Sequence, residues 1–481
     1  MEEPCAMPHP HAGHDRGKYI LKPGGERGPE PGVATAHRSV SEGVPNTTPV
    51  RVAVFSTHDS GGAGIAARRL HEGSRAIGCE SEMFVADLSA PAPHVQLLPG
   101  SDVAALDGGR RHFCPAWLRA ENRGNARISA AYPGHDRNAS TFSGEGHVQE
   151  LGATPFVEEY DILHLHWIAN FLALPSSPAV LKGRPIVWTL HDMRPFTGGC
   201  HYAGDCERFM ERCGACPQLG SGDEEDLSFQ IWRGQMARYR KRALHIVAPS
   251  RWLAGLAEKS GLFRNLPVHV IENGHPLDIF KPLDRRALRT AGGMREEEFV
   301  IGFSAGGLNA TRKGMRYLLA CLERLAASSL KDSYRVFLMG DTPPEEVLRC
   351  GIRVETMGSV ADPATAAAYY NMLDVLLVPS LEDNMPNVIA EAAGCGTPTI
   401  AFAVGGIAGM VEHGGTGLLA PVGDDAALAE AVRLVQAGQV DGTAACMRER
   451  CRAVALERWE LQKQALRYKE LFLSLRDGRE E

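Results

Sequence analysis

The run VRVAVFSTHDSGGAGIAARRLHEGSRAIGCESEMFVA, residues 50–86, opens with β-branched and apolar residues at the density of a buried strand. It turns at Gly61, Gly62 and Gly64, continues with Ile65, Ala66 and Leu70 at helical spacing, and closes in a second apolar run. Strand, glycine turn, helix and strand make a βαβ unit, and such units build parallel sheets. The same rhythm returns in DILHLHWI (161–168), PIVWTLHD (185–192), HIVAPS (245–250) and VHVIENG (268–274). A second series starts near residue 298 with FVIGFSAGG, YRVFLMGD, VETMGS, DVLLVPS and TPTIAF. Between the series, VIENGHPLDIFKP has turn residues and no helical period, as a hinge would. The expected fold class is α/β, two doubly wound domains facing a cleft, spanning 50–275 and 285–455. The final 456–481 reads as an amphipathic helix. Residues 90–150 carry no clear pattern and are expected to form an irregular insertion with one or two helices. Residues 1–49 read as a disordered tail, whose His9, His11 and His14 suit a solvated segment better than a metal site.

Bulk properties narrow the function. A chain of 481 residues is too long for one core. Its net charge of −7 holds no domain-scale basic excess, which argues against nucleic acid as a partner. No apolar run approaches the roughly 18 residues of a spanning helix, and the start lacks the apolar core of an export signal. Twelve cysteines in a chain this long point to reduced thiols and a cytoplasmic protein.

Ligands of doubly wound folds sit beyond the carboxyl ends of strands, so the informative loops are the ones that follow them. SLEDNMPNVIAEAAGCGTPTI, residues 380–400, is such a loop leading into a helix. Pro386 suits the first helical turn, and Gly394, Gly396 and Pro398 end the helix. Asp383 then stands before the helix and Glu391 inside it, with carboxylates about 10 Å or more apart at the rise of a helix. That is wider than the roughly 5 Å of a retaining glycosidase pair. Two separated acids suit a long polyhydroxylated ligand, and free N–H groups at the helix start suit a phosphate or sugar oxygen. A plain capped helix with a solvated glutamate fits the spacing equally well. In GFSAGGLNATRKGM, Arg312 and Lys313 precede a helix and could clamp a diphosphate, or could be a surface pair. The glycine turn at Gly61 and Gly62 would let a ligand approach the backbone, but it is not the dinucleotide fingerprint. His191 ends a strand facing the cleft, either touching a reacting sugar or satisfied structurally.

Cys200, Cys206, Cys213 and Cys216 follow in a C-x5-C-x6-C-x2-C arrangement. Four thiolates with a C-x-x-C knuckle suit a tetrahedral structural zinc without an open position; two disulfides or packed thiols are the alternatives.

Taken together, PSLEDNMPNVIAEAAGCGTPTIAF, GGIAGMVEHGGTGLLAPVGD, MGSVADPATAAAYYNMLDVLLVPS and NATRKGMRYLL resemble family 4 retaining glycosyltransferases, which have the GT-B fold of two Rossmann-like domains. WTLHDMRPFTGGCHYAGDCERF…CGACPQL, with LHWI before it, resembles their bacterial exopolysaccharide, colanic-acid and lipopolysaccharide branch. The likeness spans about residues 50–475. It implies a nucleotide-sugar donor held by the second domain. The family's E-x7-E pair falls on Asp383, facing the donor sugar, and Glu391, facing the ribose. Arg312 and Lys313 fall on its diphosphate-binding pair. Asn384, Met385, Pro386 and Asn387 would bring backbone N–H groups to sugar and phosphate, Gly61 and Gly62 match its glycine turn, and His191 its cleft histidine. The usual N-G-I-D hinge reads NGHP here, and the usual glutamate after G-G-I-P is Gly409.

The resemblance implies a metal-independent transfer with retention at the anomeric carbon, without a required cofactor. The acceptor would be a saccharide or a lipid-linked glycan, the latter bringing peripheral contact with the inner membrane face. The competing functions are a non-catalytic nucleotide-sugar-binding or assembly protein, and an epimerase or hydrolase of the same architecture.

Overall fold

The structure is a computed structural model that describes residues 48–99, 102–106, 111–135, 141–144, 149–151, 155–240, 242–308 and 310–478. The tail histidines His9, His11 and His14 lie outside the described residues.

Arg51–His58 is the spine of the first sheet, buried along nearly its whole length. It pairs in parallel with Glu80–Leu88 on one side and Ile162–Leu165 on the other. Outward from Ile162–Leu165 come Ile186–Thr189, Leu244–Ala248 and Val268–Val270, all parallel. Near-continuous apolar strands of this kind are what a sheet covered by helices on both faces requires. Among its described residues, the unpatterned 90–150 region forms the helix Pro115–Ala131 and the short strands Val95–Leu97, Ala104–Leu106, Arg111–Phe113 and Gln149–Glu150. Of these, Arg111–Phe113 runs antiparallel to Glu80–Leu88 and carries Ala104–Leu106 at the sheet's far edge.

The second sheet runs in the order Arg353–Gly358, Tyr334–Gly340, Phe299–Ala305, Val375–Val378, Thr399–Phe402, Gly417–Ala420, every pairing parallel. Its two faces bury separate cores, one around Tyr369, Tyr370, Leu376 and Ala390, the other around Phe303, Leu322, Leu338 and Leu428. Residues 271–284 link the halves without regular structure, as the turn-rich composition predicts.

The closing helix Leu461–Arg476 returns to the first half. Ala465, Tyr468, Leu471 and Phe472 pack with Val52, Val54, Ile162 and Val187. Tyr468 shares a 2.7 Å hydrogen bond with the Thr189 hydroxyl. Among the described residues, no helix is long and apolar enough to cross a membrane.

Candidate active site

Strand Val375–Val378 feeds the loop carrying Asp383, which opens the helix Asn387–Gly394 with Pro386 at its cap. The neighbouring turn Thr311–Lys313 lies beside that loop because Gly314 ends it. Gly314 sits at φ +77°, and a Cβ there would fall 1.8 Å from the Pro379 carbonyl oxygen, so only glycine permits the approach. The Leu381 N–H donates to the Arg312 carbonyl at 2.8 Å and fixes the two segments together.

The result is a compact charge cluster. Lys313 Nζ donates to Asp383 Oδ2 at 2.7 Å, and Arg312 Nη1 lies 3.2 Å from the same oxygen while donating to the Glu382 carbonyl at 2.7 Å. Burial by itself would raise the Asp383 carboxyl, but the charges of Lys313 and Arg312 outweigh it and bring it down to about 2. Asp383 is therefore ionised, and one carboxylate faces two cations. Two cations beside one another at this loop suit an added anion.

Glu391 is held separately. Arg69 of the first-half helix Gly61–Ala76 lies 2.8 Å from Oε1, and the Tyr370 hydroxyl donates to Oε2 at 2.8 Å. Arg69 also donates to His275 Nδ1 at 2.9 Å, which requires that ring to be neutral, and burial with the Arg69 charge lowers His275 well below its ordinary value. Asp383 and Glu391 thus have different partners, as two acids serving different parts of one long ligand would.

The predicted turn residues join the two halves. Asn384 accepts from the Ser250 hydroxyl at 2.6 Å and donates to the His191 carbonyl at 3.3 Å. Asn387 donates to the Gly62 carbonyl at 3.0 Å, and Met385 Sδ accepts from the Asn273 N–H at 3.3 Å. Gly61, at φ +69°, starts the first-half helix, so its N-terminal end lies by the second-half loop. The His191 ring bonds His166 through Nε2···Nδ1 at 2.9 Å. Burial keeps it neutral, lowering it to about 4 against the opposing pull of Asp192.

The cysteine-rich segment gathers the four cysteines of the zinc expectation around one space. Cys200, Cys206, Cys213 and Cys216 line one void of about 20 Å³ with Phe142 and Phe209. Among the described residues, however, no group of three or more His, Cys, Asp or Glu stands close enough to hold a metal ion. Burial raises the thiols of Cys200, Cys213 and Cys216, with Cys213 pushed to about 12. All four are free of disulfides, which sets aside the paired-cystine alternative for the segment as placed.

Arg69, Tyr202, Ser250 and Tyr370 belong to the site but carry no motif. Arg69 alone left a trace: with Ala66 and Leu70 it falls on the buried stripe of its helix, where an unpaired cation would be costly.

Two family models match the chain in order. Glycosyltransferase Family 4 covers residues 60–279, and Glycosyl transferases group 1 covers residues 298–436. The D-inositol 3-phosphate glycosyltransferase of Kribbella flavida is 26% identical over 407 residues, spanning 77% of this chain and 84% of that protein. Among solved structures, the sucrose-phosphate synthase of Thermosynechococcus elongatus superposes with a TM-score of 0.61 at 19% identity, over 89% of this chain and all of that one. Anabaena HepE, crystallised with UDP and glucose, superposes at 0.55 with 18% identity, over 88% of this chain and all of that one. At these identities the two structures establish the shared fold.

Proposed function

From a chain whose halves are a family 4 glycosyltransferase domain and a group 1 glycosyl transferase domain, we propose a retaining glycosyltransferase that moves a sugar from a nucleotide-sugar donor to a hydroxyl of its acceptor. The observation that carries this reading is the pair of separate acid sites at the cleft. Asp383 is bound by Lys313 and Arg312, and Glu391 is bound by Arg69 and Tyr370. In the donor complex, Arg312 and Lys313 take the diphosphate and Glu391 accepts from the ribose hydroxyls. Asp383 and the backbone of Asn384 to Asn387 meet the transferred sugar, with His191 on the opposite wall.

The anomeric carbon–oxygen bond to the diphosphate breaks, and a bond to the acceptor oxygen forms on the same face. The acceptor proton leaves on the departing diphosphate, whose charge the two cations stabilise. Closure of the halves over the site excludes water, so that transfer outcompetes hydrolysis of the donor.

The acceptor we propose is a saccharide or lipid-linked glycan, in polysaccharide biosynthesis at the cytoplasmic side of a membrane. The D-inositol 3-phosphate glycosyltransferase of Kribbella flavida is named for an inositol phosphate, which supports a polyhydroxylated acceptor in general and not the polysaccharide branch.

The test is nucleoside diphosphate release from a panel of UDP- and GDP-sugars with candidate acceptors, with and without brief EDTA treatment. Release from one donor should drop by about 100-fold or more in Glu391→Ala, because the ribose hydroxyls are left without their charged acceptor. An unaltered rate in that variant would refute the site assignment. Tight donor binding with no turnover for any acceptor would favour a non-catalytic sugar-nucleotide-binding protein.

A further inference from the structure

The cysteine-rich segment belongs to the first half, yet its tip lies on the cation cluster of the second. The Tyr202 ring stacks on the Arg312 guanidinium, 4.2 Å from its centroid. Two residues on, the Gly204 N–H donates to Glu382 Oε2 at 3.1 Å. The Tyr202 hydroxyl lies 3.5 Å from Asp383 Oδ1, at the limit for a hydrogen bond, so the ring and not the hydroxyl makes the main contact.

The segment is fastened before it crosses. His201, the residue preceding Tyr202, is buried and has both ring nitrogens engaged. Its Nδ1 is 2.6 Å from Asp192 Oδ2, and its Nε2 is 2.7 Å from the Ser143 hydroxyl. Its carbonyl accepts from the Met193 N–H at 2.9 Å. Asp192 is itself fixed by the Trp167 indole N–H at 2.8 Å and the Arg194 N–H at 2.9 Å. On the far side, the Gln218 amide donates to the Tyr202 carbonyl at 2.5 Å. Tyr202 is thus presented by a bonded frame and not by a loose loop.

An aromatic face over a guanidinium fixes its plane while leaving its N–H edge for an anion. Here that edge meets Asp383 and the Glu382 carbonyl. We propose that Tyr202 is a positioning residue of the donor site, a clamp lent by the first half that holds Arg312 in the orientation needed to grip a nucleoside diphosphate. The inference rests on the reading of Arg312 as a diphosphate ligand. It adds that the affinity for the second phosphate depends on a residue of the other domain.

The experiment is calorimetric titration of the full chain with UDP and UMP, and with GDP and GMP, for the parent, Tyr202→Phe and Tyr202→Ala. Removing a stacked ring of ordinary strength should weaken diphosphate binding about 10-fold in Tyr202→Ala. Monophosphate binding should stay within about twofold, because the second phosphate is the group Arg312 meets. Tyr202→Phe keeps the ring and should restore the parent's preference for the diphosphate. Unchanged diphosphate affinity in Tyr202→Ala overturns the proposal, as does an equal loss for mono- and diphosphate, which marks a merely structural role. A Phe variant as weak as Ala also overturns it, since the hydroxyl would then be the active group. A parent that binds none of the four nucleotides defeats the donor reading itself, and this inference with it.

Discussion

Both oxygens of the buried Glu391 carboxylate are engaged, one across the domain boundary by Arg69 and the other within the second half by Tyr370. Removing one member of such a pair leaves the other charged and buried, which typically costs about 3 kcal/mol or more. Arg69→Met should therefore lower unfolding free energy by about that amount, read from the urea midpoint. Adding Glu391→Gln removes the stranded charge and should recover most of the stability. If Arg69→Met leaves the midpoint unchanged, the ion pair has no energetic role. The sequence made Glu391 legible through its place in a helix after a strand, but its cation lies more than 300 positions away, and their pairing follows from packing alone. Tyr202 and Ser250 escaped for the same reason: a tyrosine or serine near a loop has no spacing that distinguishes it. Asp383, Arg312 and Lys313 were readable because short loops after adjacent strands must come together at one end of a parallel sheet.

At the scale of an element, the cysteine-rich segment separates composition from geometry. Its spacing suggested four metal ligands; the four residues surround a small void among aromatic neighbours, burial raises the thiols of Cys200, Cys213 and Cys216, and no trio stands at ligand distance among the described residues. Spacing limits which ligands can converge and does not by itself draw them in. In the arrangement seen here, purified protein is expected to keep its melting temperature after chelator treatment and to titrate these thiols once unfolded. One tightly held zinc per chain, with instability when Cys213 and Cys216 become Ser, would show that the segment closes further than it does here. The helix Asn387–Gly394 is the opposite case. Its glycine and proline stop signals placed its end correctly, because they act on the backbone alone.

Across the whole molecule, the two sheets followed from the alternation of apolar runs, but the destination of the last helix did not. Leu461–Arg476 shows an apolar face in sequence, yet nothing in it says that the face returns to the first half and bonds Thr189 through Tyr468. That return covers the buried His164, whose ring neighbours His166, which in turn bonds His191. His164 and Tyr468 stack at 5.3 Å between centroids, and His164 shares the Thr189 hydroxyl at 2.8 Å. Burial lowers His164 to about 3 and His191 to about 4, and lowers His166 well below the ordinary value. A lowered histidine stays neutral in the native state while the unfolded chain protonates below about 6.5, so the unfolded state binds more protons in that window. Stability must then fall as pH drops from about 6.5 toward 4, by up to about 1.4 kcal/mol per pH unit for each such histidine. Below about 4 the native His191 also takes up a proton and its contribution to the slope levels off. Asp383 acts later: its carboxyl, brought down to about 2, contributes stability above the unfolded carboxylate's roughly 3.9 and loses it as pH falls toward about 2. Urea midpoints at pH 7.5, 6 and 5 should therefore decline in steps, with proton uptake on unfolding at pH 5 exceeding that at pH 7.5. A flat profile with no uptake would mean that these rings are charged or solvated, and that the last helix does not seal His164.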